Sequence, residues 1–178
     1  MAQGRCHFAV VFFDMTPEPA RFSLRPAVER DSSALAELRA ALFLELGEAE
    51  GARPLPAFEV ASTDAFAKRI ADGSCFAWLA EAPDGRAVGS VALLIYPRLP
   101  SPELLASREG YLLNVYTLPD WRGRGVATGL VRAAVSKGRD LGLARIRLHT
   151  TTDGRPVYAA AGFEPREDEM ELRLEGDS

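Results

Sequence analysis

Gly123 and Gly125 stand two residues apart, flanked by Arg122 and Arg124, just after Pro119 and just before an apolar-periodic run that begins at Val126. Two bare backbone positions let several N–H groups turn toward one bound group. The helix that follows adds the partial positive charge of its N-terminus, and Thr128, in its first turn, adds a hydroxyl donor. With the two arginines beside it, the chemistry of this turn is anion binding, and it reads as a pyrophosphate cradle. Taken alone, the pattern also fits a surface turn that caps a helix. Spacing sets aside two common phosphate loops. Counting from Gly123 and Gly125, the third glycine of the dinucleotide fingerprint is replaced by Thr128, and the Gly-Lys-Ser/Thr of a P-loop occurs nowhere.

A second constellation lies downstream, where Gly154, Arg155, Pro156 and Tyr158 lead into Gly162 and Phe163. Arg122, Gly125 and Ala127 match the Gln/Arg-x-x-Gly-x-Gly/Ala signature of the GCN5-related N-acetyltransferases. The tyrosine-bearing helix ending in Gly-Phe resembles that family's second signature, in the right order and at the right separation. From about Phe22 to Leu174 the chain therefore resembles a GCN5-related N-acetyltransferase. Residues 1–21 are expected to be an extension outside the match, residues 22–174 the domain, and residues 175–178 a tail.

The resemblance implies an α/β fold of the α+β type. Its single mixed, mostly antiparallel sheet of six to seven strands is flanked by about four helices and splayed between the two central strands. It implies acetyl-coenzyme A as cosubstrate, with no metal, and a primary amine of a small molecule or peptide as acceptor, attacking directly in a ternary complex. By alignment, the backbone of Val115, Tyr116 and Thr117 holds the pantetheine arm. Arg122, Gly123, Arg124, Gly125, Val126, Ala127 and Thr128 surround the pyrophosphate. Tyr158 aligns with the proton donor to the departing thiolate, a role suited to a phenol that stays protonated at neutral pH. A strand N–H near Val115 would stabilise the oxyanion.

The base is open between Glu109 working through water and no dedicated base at all. Tyr111 holds the place where some histone-acetylating relatives carry a glutamate, and Asn114 could hold a water. Thr151 replaces an asparagine that many relatives carry seven residues before the tyrosine. A threonine hydroxyl can donate one bond but cannot present an amide pair. An alternative to the enzyme is a non-catalytic acyl-coenzyme A-binding or regulatory module on the same fold. Retention of Tyr158 favours the enzyme.

Bulk properties agree with these readings. A chain of 178 residues, 47% hydrophobic, is one domain with material for a core. A net charge of −4 disfavours nucleic acid as principal partner. No apolar run approaches the ~20 residues of a membrane span. Cys6 and Cys75 offer neither metal spacing nor a disulfide framework, and Cys75 opens an apolar strand where burial would leave it inert. The expected compartment is a reducing cytoplasm, and the expected state a monomer or homodimer. The short apolar run of residues 8–13 has no cleavage site behind it and is not a secretory signal. It is either a loose extension or an extra strand.

The elements that must carry these residues can be read in order. A short strand near Phe22 stops at Pro26, and Asp31 or Ser32 caps a helix with Leu35, Leu38, Leu42 and Leu46 on one face. Residues 47–56 read as loop, and residues 64–70 as a shorter helix. Residues 75–80 and 87–95 form a hairpin around Asp84 and Gly85, followed by a long loop over 96–107. Residues 109–118 are the central strand, and residues 125–139 the helix behind it, with Val126, Leu130 and Ala134 in one row. A strand over 144–150 puts Ile146 and Leu148 on one face and Arg145, Arg147 and His149 on the other. A short helix holds Tyr158. Met170, Leu172 and Leu174 close the pattern as a strand with one wet face. Acceptor choice falls to the first two helices, their linker and the 96–107 loop, where Glu45, Glu48, Glu50 and Glu59 would suit a cationic amine.

Overall fold

A computed structural model describes residues 21–47, 55–102, 105, 107–166, 170 and 172. The hairpin strands form where aliphatic and small residues run almost unbroken, as expected for strands covered on both faces. Strand β1 (Ser23–Pro26) pairs antiparallel with β2 (Cys75–Glu81), β2 with β3 (Ala87–Pro97), and β3 with β4 (Arg108–Thr117). Strand β5 (Ile146–Arg147) runs parallel to β4, giving the order β1-β2-β3-β4-β5. The sheet is mixed and mostly antiparallel, with five strands among the described residues. Of the expected last strand only Met170 and Leu172 are described; both are exposed and outside the sheet. The amino-terminal residues 1–20, and with them the choice between loose extension and extra strand, lie outside the described residues, as does most of the linker after the first helix.

Helices cover both faces. Helix α1 (Ser32–Glu45) and helix α2 (Leu55–Ala71) pack Leu35, Leu38 and Phe66 against Ala77, Leu79, Ala92 and Tyr116. Helix α3 (Val126–Asp140) packs Val126, Leu130, Val131 and Ala134 against Trp78, Val91, Leu93 and Leu112 on the other face. The row of Val126, Leu130 and Ala134 is fully buried, so the periodicity expected there holds. Helix α4 (Arg155–Ala159) is a single turn and a half that carries Tyr158.

Three local expectations need correction. Helix α2 begins at Leu55 rather than Asp64, because Pro56 falls in the first turn, where its missing N–H costs nothing. Asp31 stands at the N-cap position of α1 but does not cap it. Its carboxylate accepts from the Val28 N–H at 2.8 Å and from Arg25 at 2.7 Å and 2.9 Å, tying β1 to the turn before α1. Finally, the strand expected over 144–150 pairs only at Gly110↔Ile146 and Tyr111↔Arg147. Beyond those two rungs β4 and the chain after β5 part.

Candidate active site

Strand β4 behaves differently along its two halves. Its first half is paired on both sides, with β3 through Glu109↔Tyr96 and Leu112↔Leu93 and with β5 through Gly110 and Tyr111. Among the described residues its second half, from Leu113 to Thr117, pairs with β3 alone. The parting leaves one edge of Val115, Tyr116 and Thr117 without a neighbouring strand. A bulge marks the change. Ala92 faces Leu113 while Ser90 faces Tyr116, so one extra residue of β4 lies between them, and Asn114 there adopts φ 56°. The insertion resets the alternation of faces: Leu113 and Tyr116 both join the α1/α2 side, whereas Leu112 and Val115 join the α3 side. Sequence reading took this strand as regular. Asparagine's tolerance of the left-handed region was the available signal.

Asn114 is 3% exposed, and its side chain holds the bulge. Nδ2 donates to Ser90 Oγ at 3.0 Å and to the Leu35 carbonyl at 3.5 Å, while Ser90 Oγ donates to the Asn114 carbonyl at 3.2 Å. The bulge is thereby pinned to β3 and to α1. Among the described residues, Asn114 Oδ1 and Thr117 Oγ1 are buried with no hydrogen-bond partner, both on the half of β4 that pairs there with β3 alone. Buried polar atoms are rarely left so.

After Leu118 the chain makes a 3₁₀ turn over Pro119–Trp121 and reaches Gly123 (φ 73°) and Gly125 (φ 82°). Both glycines sit in the left-handed region, which residues with a Cβ enter at a cost. No atom lies within 4 Å of where a Cβ would stand on either one. The turn is open where a ligand would approach. Gly125 is the N-cap of α3 and offers no side-chain cap, so the first-turn N–H groups, at Val126, Ala127 and Thr128, face outward at the positive end of the helix. Val126 is buried as the helix's anchor, Ala127 and Thr128 are half-buried, and Gly123, Arg124 and Gly125 are exposed.

The two arginines differ. Arg124 lies 5.0 Å over the Trp121 ring, a cation–π contact that keeps its charge at the turn. Arg122 donates through Nε to the Thr117 carbonyl at 3.1 Å and through Nη2 to Glu45 at 2.6 Å, and its guanidinium lies 5.8 Å from the Tyr116 ring. Tyr116 in turn donates its hydroxyl to Glu45 at 3.1 Å. Glu45, read in sequence as part of an acidic acceptor region, is thus the C-terminal link from α1 to this turn. Arg122 holds its carboxyl below the usual range.

Tyr158 is half-buried against the α3-side core, with its ring 5.9 Å from Phe163 in an edge-to-face arrangement. Burial pushes the phenol above its ordinary value, so it holds its proton through and beyond neutral pH.

Glu109 requires the clearest correction. The open choice was between a base acting through water here and no dedicated base at all. Glu109 is 3% exposed, and its two oxygens are occupied. Arg98 lies at 2.6 Å, Arg145 at 2.7 Å and Arg147 at 3.6 Å, and Tyr96 donates its hydroxyl at 3.1 Å. A general base needs a lone pair within reach of the proton it abstracts. Glu109 also precedes Val115 by six residues, about 20 Å of extended strand. It is a clamp that ties β3, β4 and β5 together at their closed end.

The acetyltransferase (GNAT) family model matches residues 37–163. A GCN5-related N-acetyltransferase from Ralstonia eutropha JMP134 is 31% identical, covering 88% of this chain and all of that one, with a TM-score of 0.75. A predicted acetyltransferase from Clostridium acetobutylicum, solved with acetyl-coenzyme A, is 28% identical over 86% of this chain and 97% of its own, with a TM-score of 0.76. An aminoglycoside N-acetyltransferase solved in complex with coenzyme A shares the fold, at 22% identity over 90% of this chain and 99% of its own, with a TM-score of 0.65. No curated protein matches the chain in sequence. Among the described residues, no helix is long and apolar enough to cross a membrane. With a family match over most of its length and a half-open central strand leading into a glycine turn, the chain belongs to the GNAT family of acetyltransferases.

Proposed function

We infer that the protein moves the acetyl group of acetyl-coenzyme A to a primary amine of a small molecule or peptide, by direct attack while both are bound. The observation that carries this reading is the continuity of the open edge of β4 with the glycine turn. A strand edge without a neighbour, an open turn with two left-handed glycines and an uncapped helix N-terminus follow one another along the chain. Such a run suits a molecule that is amide-bearing along one stretch and doubly charged at the next.

The backbone of Val115, Tyr116 and Thr117 takes the pantetheine amides as an added strand would. The N–H groups over residues 123–128 take the pyrophosphate, with Arg124 supplying charge from outside the turn. Arg122 serves chiefly to brace the turn against Thr117 and Glu45. An N–H at the bulge, near Val115, receives the charge that develops on the thioester oxygen. The amine's lone pair attacks the thioester carbon, the C–S bond breaks, and Tyr158 gives its proton to the sulfur. A phenol raised above its ordinary value is protonated at working pH, as a donor must be.

Calorimetry with acetyl-coenzyme A, followed by a thiol-release screen over amines, amino acids and peptides, tests both parts. The native protein should bind, and Gly125→Glu should abolish binding by placing bulk and negative charge in the turn. Gly125→Ala, which carries the same backbone cost without the charge, should bind more weakly than native but measurably. Equal affinity in native and Gly125→Glu proteins would remove the turn from the site. Binding without thiol release on any acceptor would leave the non-catalytic acyl-coenzyme A-binding module as the reading.

A further inference from the structure

With Glu109 committed to the clamp, the reaction still needs a group to take the proton that the amine loses. At the level where β4 and β5 part, Tyr111 and His149 meet. Tyr111 forms the last rung with Arg147, and His149 lies two residues further along the chain. The Tyr111 hydroxyl and His149 Nδ1 are hydrogen-bonded, and their rings stand 5.9 Å apart. His149 is exposed, as a group facing an incoming acceptor must be.

The same stretch of chain also reaches Tyr158. A Cβ built on Gly154 would stand 2.8 Å from Thr150 Oγ1 and 3.1 Å from Tyr158 Cε2. The residue next to His149 and the candidate proton donor therefore crowd a single point. His149 and Tyr158, two groups able to carry protons, therefore lie on one stretch of chain that begins where β4 and β5 part.

We propose that His149 is the catalytic base of the transfer and that Tyr111 positions it. This rests on the acetyl-transfer reading above. With the proton on Nδ1 donated to the Tyr111 oxygen, Nε2 is left with its lone pair free. As the N–C bond to the acetyl group forms, the amine nitrogen gives one proton to Nε2. As the C–S bond breaks, the sulfur takes a proton from Tyr158. Transfer of the Nε2 proton to the Tyr158 oxygen through water restores both groups, so the cycle needs no other reactant. Among the described residues its hydrogen-bond partner is Tyr111 on β4, and Arg147, two residues before it, ties the same segment to the Glu109 clamp.

The experiment uses full-length native, His149→Ala, His149→Gln and Tyr111→Phe proteins, at saturating acetyl-coenzyme A and with the amine that the thiol-release screen selects. His149→Ala and His149→Gln should bind acetyl-coenzyme A with native affinity and turn over about 10²- to 10⁴-fold more slowly. Added imidazole should restore part of the rate to His149→Ala and none to His149→Gln, whose side chain fills the space. Tyr111→Phe should lower kcat by about three- to tenfold, with KM unchanged, because the imidazole loses its guide and not its function. Native turnover by His149→Ala would overturn the proposal. A loss that imidazole leaves untouched and that comes with a lowered melting temperature would overturn it too, showing a structural contact. Failure of the native protein to bind acetyl-coenzyme A would overturn the acetyl-transfer reading first, and this one with it.

Discussion

The two halves of β4 do opposite things. The first half is gripped from both sides: β3 and β5 pair with it, and a buried carboxylate gathers Arg98, Arg145 and Arg147 across three strands. The second half is held from one side, contains a bulge, and ends in a turn that no side chain caps. The contrast teaches that the opening is produced by a lock at the other end. β5 keeps only two rungs, and the arginines of the β5 segment and the end of β3 fasten those rungs to Glu109. The sheet can then diverge immediately afterward without falling apart.

The comparison can be broken first at the open half. Tyr158→Phe keeps the ring against Phe163 but removes the proton, and should lower turnover by about 10²- to 10⁴-fold with acetyl-coenzyme A affinity nearly unchanged. The sign of its pH dependence follows from the raised phenol. Donation needs the protonated form, so native turnover should persist through neutral pH and decline only above about pH 10, the ordinary tyrosine value. A pH–rate profile under conditions where chemistry is limiting would check both, and equal rates for the two proteins would assign Tyr158 to packing.

Breaking the closed half should cost stability instead. Glu109→Gln leaves three guanidinium groups around a neutral amide. The expected loss is about 3 kcal/mol, at the low end for a buried ionic group because Arg145 and Arg147 are partly exposed. For a domain of this size that is a fall in Tm of roughly 6–12 °C. Protein that remains folded should still bind acetyl-coenzyme A. Lost turnover with an unchanged melting curve would return Glu109 to the chemistry.

Asn114 sits at the junction and should respond in between. Asn114→Ala loses the bonds to Ser90 and Leu35 and places an ordinary residue at φ 56°, a penalty of about 1–2 kcal/mol for the backbone alone. Asn114→Gly removes that backbone penalty and keeps only the loss of the side chain, about 1 kcal/mol. Thermal melts that rank the two in the reverse order would show that the bulge does not depend on its left-handed residue. The smallest effect belongs to Arg122→Ala. Its pair with Glu45 is nearly half exposed on both sides, and such pairs contribute about 0–1 kcal/mol. A larger destabilisation would mean that α1 and the glycine turn are coupled more tightly than an exposed ion pair allows.

Much of this contrast was legible in the sequence, for identifiable reasons. The glycine turn announced itself because only a few residue types tolerate the left-handed backbone, and the row of Val126, Leu130 and Ala134 because helical periodicity is regular. Glu109 misled because alternation reports which side a residue faces, not what meets it there. Arg98, Arg145 and Arg147 come from distant segments, and no local pattern pairs them with it. The bulge escaped because one inserted residue has no period of its own. The strand over 144–150 was overextended because Ile146 and Leu148 alternate whether or not a partner strand stays alongside. Helix α2 was started late because Pro56 was taken as a breaker when it is a first-turn residue.

The parting of β4 and β5 has one more consequence, for how the protein lives in a crowded solution. A row of unpaired strand N–H and C=O groups at the rim of a sheet invites pairing with another chain and, through it, aggregation. Here the row begins inside the sheet, with β3 on one side and, on the other, β5 paired to the same strand just before the row starts. Another protein's sheet edge would have to pass β5 to be brought alongside. The fold thus keeps backbone groups available for recognition while screening them from the association that such groups usually provoke.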